Sequence, residues 1–446
     1  MGRLPGPNPP TTVSIASGLF FPQRIVLKID QREYSPAMVK KIAFAGTSNS
    51  SGVKAARSLL MLAGLKISAM AVMRITEQIG AELAVSHEHD AALNSRRELK
   101  SLEKMVVPIA CVEVDGGRMR TRAPGQSRGI HDQAWKETKV AALWRMNGPI
   151  FDQDPHPELQ RCFCDARHVE KLVREIKRQR SEQHAPEDFE CEETEEAPQS
   201  DTANTEATER QWPPRRVFRT CVATFKDVYG FGPLVAAEAQ RRGFYDAQRQ
   251  VFLGDGDHKN WIVHKLHFPH FTAITDFVHP VTYLYDVATS VTNSYAAQWE
   301  QYIEWVTACW KGKIGAVIID LHSWQSRLGL PEKDAPDNDP RQIVSKTITY
   351  LENNQSRMNY PQYRQQGLPI TSCLVESLIK EINYRVKGSA KFWNRLSATE
   401  GESMLNAIAA LLSDGEPLSK HIESRLGALY YRRSTEANLK IASSPD

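Results

Sequence analysis

Two apolar runs that each lead into an Asp-Gly pair constrain the possible folds of this chain most. Residues 106–114 are rich in β-branched side chains and precede Asp115-Gly-Gly, and residues 251–254 precede Asp255-Gly. We predict that both runs are strands and that the first strand ends abruptly at Asp115. A carboxylate at a strand end lies where the backbone is open to a ligand, so both aspartates are candidate site residues.

The order of the remaining patterns indicates an α/β fold. Strand patterns cover residues 138–146 and 216–225, and helical patterns are interleaved with the strands. From Tyr295 onward the pattern is almost wholly helical. We therefore predict an α/β core that carries a helical insertion and a helical C-terminal tail.

Residues 51–83 have the pattern of two helices with a short link. Gly64 breaks the first helix, and Ser68 can cap the second, over residues 69–83. Two helices joined in this way have the layout of a helix-turn-helix, which binds DNA. A plain helical hairpin used for packing or dimerisation is an equally good interpretation. If the unit binds DNA, it would place four basic side chains against it: Lys66, Arg74, Lys54 and Arg57.

The composition is that of an ordinary globular protein, with 41% hydrophobic and 24% charged residues among 446. No run approaches the roughly 18 apolar residues of a membrane span, and the N-terminus lacks the apolar block of a signal peptide. We expect an intracellular protein without a membrane partner.

The seven cysteines are scattered and do not form a disulfide framework. Cys162 and Cys164, near His168, do not have the usual zinc-site spacing.

The net charge of +3 conceals an uneven distribution. Residues 181–211 hold 11 acidic residues and one arginine, so this segment carries −10 and the remaining chain carries +13. Such a basic remainder is expected of a protein that meets a polyanion, and nucleic acid is the natural candidate. The segment has too few apolar residues to offset its ordering entropy, so we predict a disordered insertion. A solvated loop is the simpler interpretation, and a DNA mimic that shields the basic surface is the alternative.

A third candidate carboxylate, Glu376, lies about one turn into a helix that we predict to start near Ser372. Carboxylates from two strand ends and a helix can hold two divalent cations about 4 Å apart, and such a pair supports phosphoryl transfer. Each acidic residue alone also has an ordinary interpretation, as a turn aspartate or a solvated glutamate. Basic residues just after Asp115 would bind the flanking phosphates: Arg118, Arg120 and Arg122.

Five sequence blocks in a fixed order carry a resemblance to a known family. The blocks are VEVDGGRMRTR, WKETKVAALWR, VFLGDGDHKNWI, FTAITDFVHPVTYLYDVA and GLPITSCLVESLIKEINYRVKGSAKFW. Across residues 51–412 the series resembles that of bacterial insertion-sequence transposases of the ISKra type. These are relatives of the ISLre and mutator-like transposases.

The resemblance implies a ribonuclease H-like catalytic core, in which a mixed sheet is flanked by helices, and a DDE triad that binds two Mg²⁺ or Mn²⁺ ions. By position, Asp115 and Asp255 match the two catalytic aspartates and Glu376 matches the glutamate, so all three are expected to ligate the metal ions. Asp276-Phe-Val-His279 resembles the C/D-x-x-H signature, in which His279 would contact the scissile phosphate or support the site. Without the resemblance, the pair is a helix cap and its neighbour.

The sequence departs from the family pattern after the Glu376 helix. A Gly-Met-Arg-Trp-like motif is replaced there by residues 387–393, KGSAKFW, with Phe in place of Arg. Lys387, Lys391 and Trp393 are still candidate DNA contacts, and Trp393 would stack on an unpaired base or pack in a helix core. The acidic insertion at residues 181–211 is also foreign to the pattern.

The patterns and the resemblance together lead us to expect six parts. They are an N-terminal extension (1–34), a helical DNA-binding domain (35–100), the first part of the catalytic core (101–290), a helical insertion (291–366), the Glu376 helix and the next helix (367–412) and a C-terminal tail (413–446). The helical insertion resembles the all-α insertion of mutator-like transposases.

The resulting hypothesis is a transposase that cleaves DNA and transfers strands at the ends of an insertion sequence. It would bind terminal inverted repeats and target DNA as a homo-oligomer, in the cytoplasm and in association with the nucleoid. The alternatives are a transposase-derived DNA-binding protein that has lost catalysis and a ribonuclease H-like nuclease.

Overall fold

The computed structural model describes residues 34–103, 105–122, 134–181, 212–371, 373–386, 393–394 and 398–425. The first elements are the helices α1 (Pro36–Ser48), α2 (Gly52–Ala63) and α3 (Ala69–Ser95). Two consecutive strands follow, and after them helices and strands alternate: β1 (Ile109–Arg122), β2 (Ala134–Asn147), α4 (Ala166–Ser181), β3 (Arg215–Thr224), α5 (Val228–Arg241), β4 (Arg249–Gly254), α6 (His258–His267), β5 (Thr272–Thr275) and α7 (Val278–Val291).

The rest of the described chain is almost entirely helical, as predicted. The insertion contains α8 (Tyr295–Trp310), α9 (Ile314–Leu328), α10 (Pro340–Asn354) and α11 (Tyr360–Gln365). It is followed by α12 (Cys373–Val386), the short strand β6 (Trp393–Asn394), α13 (Ala398–Leu412) and α14 (Pro417–Ser424). None of the helices in the described ranges has both the length and the apolar character that crossing a membrane requires.

The strands form one mixed sheet in the order β3-β2-β1-β4-β5, with β6 paired to the end of β1. β1 and β2 are antiparallel, as are β2 and β3, whereas β4 is parallel to both β1 and β5. Helices cover the sheet on both faces. The prediction of an α/β fold with a mixed sheet flanked by helices is therefore confirmed.

The sequence predicted that β1 ends at Asp115, and this prediction is wrong. The strand continues through both glycines to Arg122. It continues because β2 pairs with it from Ile109 to Thr121, so that Asp115 lies opposite Val140. What ends at this point is the pairing with β4, whose last pair is Val114 with Gly254. The basic residues after Asp115 therefore belong to an antiparallel pair of strands.

Alternate side chains of β1 face two different cores. Ala110, Val112 and Val114 pack with apolar residues of α5 and α6. Cys111 and Met119 belong to the larger core, to which α4, α7, the insertion helices and α12 contribute. Because side chains alternate along a strand, Asp115 lies on the same face as this larger core.

The predicted pair of N-terminal helices is confirmed, although α3 extends beyond residue 83, to Ser95. Gly64 ends α2 in the left-handed conformation, with φ of 65°, and Ser68 Oγ caps α3 by accepting a hydrogen bond from the Ala71 N–H at 3.2 Å. The glycine avoids the steric cost that a side chain has in this conformation.

The C-terminal helices cover the N-terminal ones. Ile42 of α1 and Ile79 of α3 share an apolar core with Leu418 and Ile422 of α14. α3 also approaches α13 so closely that a Cβ at Gly80 would clash with the backbone of Ser403. The region predicted as a C-terminal tail thus begins with a helix that completes the N-terminal core.

Of the predicted acidic insertion, only Ser181, at the end of α4, lies within the described residues.

Candidate active site

The register of β1 and β4 places Asp115 and Asp255 next to each other. Val114 lies opposite Gly254 in this parallel pair, and each aspartate is the next residue of its chain segment. Both aspartates are partly exposed and line one cleft with a volume of about 170 Å³. The cleft lies at the carboxyl ends of the parallel strands, the edge at which open α/β sheets usually bind ligands.

Hydrogen bonds fix both carboxylates close to their own backbone. Asp255 Oδ1 accepts hydrogen bonds from the Asp257 N–H and from Asn260 Nδ2, each at 2.8 Å. Asp257 in turn caps α6 by accepting from the Lys259 N–H at 2.7 Å. Asp115 Oδ1 accepts from the Gly116 N–H at 2.6 Å. The residues from Asp255 to Asp257 therefore form a compact turn between β4 and α6.

His279 lines the same cleft from the first turn of α7. Its Nε2 lies 3.6 Å from Oδ2 of Asp276, a distance that gives an ion pair when His279 is protonated. Asp276 is fully buried directly after β5 and accepts a hydrogen bond from the Val278 N–H at 3.1 Å. Its own N–H donates to the Gly254 carbonyl oxygen at 2.9 Å. Asp276 thus links the end of β4 to the start of α7, and it places a carboxylate beside His279.

Both basic and acidic side chains line the cleft. The carboxylates are Asp115, Glu137, Asp255 and Asp257, and the basic groups are Arg118, Lys139 and Lys259. With neutral histidine, the four carboxylates exceed the three basic groups by one charge. The cleft alone is therefore slightly acidic.

Glu137 of β2 holds two of these basic groups. Its carboxylate accepts hydrogen bonds from Lys139 Nζ at 3.0 Å and from Lys259 Nζ at 3.1 Å. Burial raises the pKa of Glu137, but the two lysines outweigh this effect and leave its pKa below the ordinary value. Glu137 is therefore ionised at neutral pH, and it fixes the two lysines at the wall of the cleft.

The predicted third carboxylate, Glu376, lies on α12, which starts one residue after the predicted position. α12 packs against β1 and β2, and its residues Leu378 and Ile382 belong to the same core as Met119 of β1. The side chain of Glu376 lies outside the described part of the chain, so its place at the cleft stays a prediction. Within the described part, no group of three or more His, Cys, Asp or Glu side chains forms a metal-binding set.

The predicted DNA-binding residues are divided among several places. Arg118 lines the cleft. Three others lie on β1 and β6, with side chains outside the described part: Arg120, Arg122 and Trp393. Two are exposed on the N-terminal helical unit and are not among the residues lining the cleft: Lys66 and Arg74. Two lie outside the described residues altogether: Lys387 and Lys391.

The sequence prediction missed Glu137, Lys139, Lys259 and Asn260, which also line the cleft. A signal for Lys139 was present, because a lysine directly precedes the apolar run 140–144 of the strand predicted at residues 138–146. Glu137 lies just before the strand predicted there, although the observed strand starts at Ala134. The β1–β2 register, which sets Gly116 opposite Lys139 and Arg118 opposite Glu137, brings these two β2 residues close to Asp115.

Neither the protein-family models nor the curated proteins that were compared with this sequence give a match.

Proposed function

We propose that the chain is a DDE transposase that cleaves DNA and transfers strands at the ends of an insertion sequence. The observation that carries the proposal is the placement of Asp115 beside Asp255, in one cleft and at the end of the β1–β4 pairing. The two residues belong to sequence blocks that resemble those of the catalytic aspartates in bacterial insertion-sequence transposases. His279, from a third such block, lines the same cleft.

The sheet supports the same proposal. Its order is β3-β2-β1-β4-β5, with antiparallel pairs on one side of β1 and parallel pairs on the other. This arrangement is compatible with a ribonuclease H-like core. α12, which carries Glu376, packs against β1, the strand that carries Asp115.

The chemistry of the cleft fits hard divalent cations. Four carboxylates line it, and oxygen ligands of this kind suit Mg²⁺ and Mn²⁺. A cleft of about 170 Å³ has room for two ions with several water ligands, because one water molecule needs only about 10–15 Å³. Cations would also reverse the slightly acidic charge of the cleft, which otherwise repels a phosphodiester.

Asp115, Asp255 and Glu376 would hold two ions, which activate an attacking water or 3′-hydroxyl and stabilise the departing oxygen when bound. The chain's own basic residues would bind and orient the DNA. Arg118 and Lys259 line the cleft and would neutralise phosphates on either side of the reacting one. His279 would donate a hydrogen bond to the scissile phosphate, with the buried Asp276 beside it. In this proposal the protein acts on terminal inverted repeats and target DNA as a homo-oligomer in the cytoplasm.

Cleavage of DNA that carries the sequences flanking the coding region tests the proposal. Wild-type protein should nick this DNA with Mg²⁺ or Mn²⁺ and join the new 3′-hydroxyl to a target duplex. Asp115→Ala should slow nicking by about a thousandfold or more, the scale of losing a catalytic group, while DNA affinity is retained. Asp337→Ala is the control, because its side chain is 93% exposed in the insertion and does not line the cleft.

The products separate the alternatives. Equal nicking by wild type and Asp115→Ala would contradict the assignment of the site. Hydrolysis without any joined product would indicate a ribonuclease H-like nuclease, and DNA binding without metal-dependent cleavage would indicate a DNA-binding protein without catalysis. Matched inverted repeats on either side of the coding region would support a mobile element independently of these assays.

A further inference from the structure

The turn that carries Asp255 is held by a helix of the insertion, 95 residues later in the chain. Tyr350 Oη, on α10, donates a hydrogen bond to the carbonyl oxygen of Asp255 at 2.9 Å. Asn354 Nδ2, one helical turn further along, donates to the carbonyl oxygen of Gly256 at 3.4 Å. α10 therefore contacts two consecutive peptide groups of the turn.

The contact between α10 and this turn leaves no space for a side chain at Gly256. Gly256 has φ of +96°, and a Cβ at this position would lie 2.5 Å from Cε2 of Tyr350 and 3.0 Å from Nδ2 of Asn354. Both the backbone conformation and the close approach of Tyr350 therefore require glycine. The direction of the turn is set by the helix against which it packs.

The two residues that hold the turn are themselves fixed by α6 and α7. The Tyr350 ring stacks on Tyr283 of α7, with centroids 4.0 Å apart and an angle of 20° between the rings. Asn354 is buried, and its Oδ1 accepts a hydrogen bond from Nε1 of Trp261 on α6 at 2.9 Å. The guanidinium of Arg357 lies over the Trp261 ring, 4.4 Å from its centroid. The insertion is thus joined both to α6, which follows the Asp255 turn, and to α7.

We propose that Tyr350 is a positioning residue for Asp255, and that the helical insertion is therefore a structural part of the metal site. This inference rests on the proposed function. Residues that orient a metal ligand typically contribute about 10- to 100-fold to metal affinity, because a ligand with more freedom pays more entropy on binding. Tyr350 acts through the backbone of the turn, so its loss weakens the metal site without removing a ligand.

Binding of Mn²⁺ to the full chain tests this role, with free Mn²⁺ measured by electron paramagnetic resonance. Tyr350→Phe keeps the stacked ring and removes only the hydroxyl, so it should weaken Mn²⁺ binding about tenfold. Tyr302→Phe is the matched control, because the Tyr302 hydroxyl also donates to a backbone carbonyl, that of Phe163, at 3.2 Å from α8. Its affinity for Mn²⁺ should equal that of the wild type.

Two further measurements distinguish a positioning role of Tyr350 from a general contribution of Tyr350 to folding. Both variants should unfold at similar temperatures, and nicking by Tyr350→Phe should return to the wild-type rate when Mn²⁺ is saturating. Unchanged Mn²⁺ affinity in Tyr350→Phe, with affinity lost in Asp255→Asn, would overturn the positioning role alone. Failure of the wild type to bind Mn²⁺, or full affinity in Asp255→Asn, would overturn the proposed function as well.

Discussion

Lys259 and Lys139 share one carboxylate at the wall of the cleft but differ in their freedom to leave it. The side chain of Lys139 is 10% exposed, whereas that of Lys259 is 51% exposed and starts from the first turn of α6. Separating a buried lysine from its partner is costly, and separating an exposed one is not. Lys259 is therefore the residue that can turn from Glu137 to a phosphate.

Replacing Lys259 by Ala should weaken binding to all DNA sequences alike, because a phosphate contact carries no sequence information. The slope of log affinity against log salt concentration should become shallower by about 0.9, the value for one neutralised phosphate. Fluorescence anisotropy with labelled duplexes at several salt concentrations measures both effects. Lys265→Ala is the control, since this exposed residue lies on the same helix but does not line the cleft. An equal change of slope in both variants would contradict the prediction.

The residues of the site could be predicted only where the local sequence carries a signal. Asp115 and Asp255 follow apolar runs and precede glycine, and the structure brings both into one cleft. Tyr350 and Asn354 have no such signal, because tyrosine and asparagine on a helix are ordinary surface or core residues. Their contact with the Asp255 turn depends on how α10 packs against α7, which local patterns do not report.

At the level of secondary structure, the N-terminal and C-terminal helices are joined by an ionic cluster. Glu82 of α3 contacts His421 Nε2 of α14 at 3.0 Å and Arg425 Nε, just after α14, at 2.9 Å. Burial raises the pKa of Glu82, but the hydrogen bond from His421 and the charge of Arg425 outweigh it and lower the pKa below 4.5. The ionised carboxylate is thus favoured in the folded state.

Glu82→Gln should therefore lower the free energy of unfolding at neutral pH, by about 0.5–1 kcal/mol because the group is partly exposed. A lowered folded-state pKa gives a stabilisation that is complete above about pH 4.5 and is lost as the pH falls through the folded pKa. The difference between wild type and variant should shrink accordingly on acidification. Urea unfolding at a series of pH values measures it. Glu158→Gln should show little effect at any pH, because the Glu158 side chain, which pairs with Lys311, is 81% exposed.

The boundary of β1 was wrong in the sequence prediction for a reason that lies in its neighbour. A β-branched run followed by Asp-Gly-Gly favours a turn, because glycine and aspartate are poor strand residues. In the structure the pairing with β2 continues past them, and Gly116 lies opposite Lys139. Strand pairing across the sheet therefore overrides the local preference, and a single strand's sequence does not contain that information.

At the level of the whole molecule, the order of strand and helix patterns was sufficient to predict the α/β class. Few arrangements bury strands and helices that alternate along a chain. The patterns did not show that α13 and α14 return to cover α1 and α3. An amphipathic helix reveals that it has an apolar face but not which distant segment packs on it.

Under the proposed function, the uneven charge of the chain should set its affinity for nonspecific DNA. Residues 182–211 contain 11 acidic residues, so replacing them by Asn or Gln at unchanged length removes 11 negative charges. We expect at least about tenfold tighter nonspecific binding at about 50 mM salt, and a smaller gain at higher salt because the charges are screened. Anisotropy titrations measure this. A variant with the same residues in scrambled order should bind like the wild type; unchanged affinity after neutralisation would contradict the prediction.

The packing of α14 on the N-terminal helices has a consequence for biosynthesis. Ile42 and Ile79 leave the ribosome early, whereas Leu418 and Ile422, which share their core, are among the last described residues to be made. At typical elongation rates of about 5–20 residues per second, the emerging N-terminal region waits for tens of seconds before this part of its apolar surface is covered. Translation that stops before α13 would leave a polypeptide with that surface exposed, and we expect chaperones to bind it there.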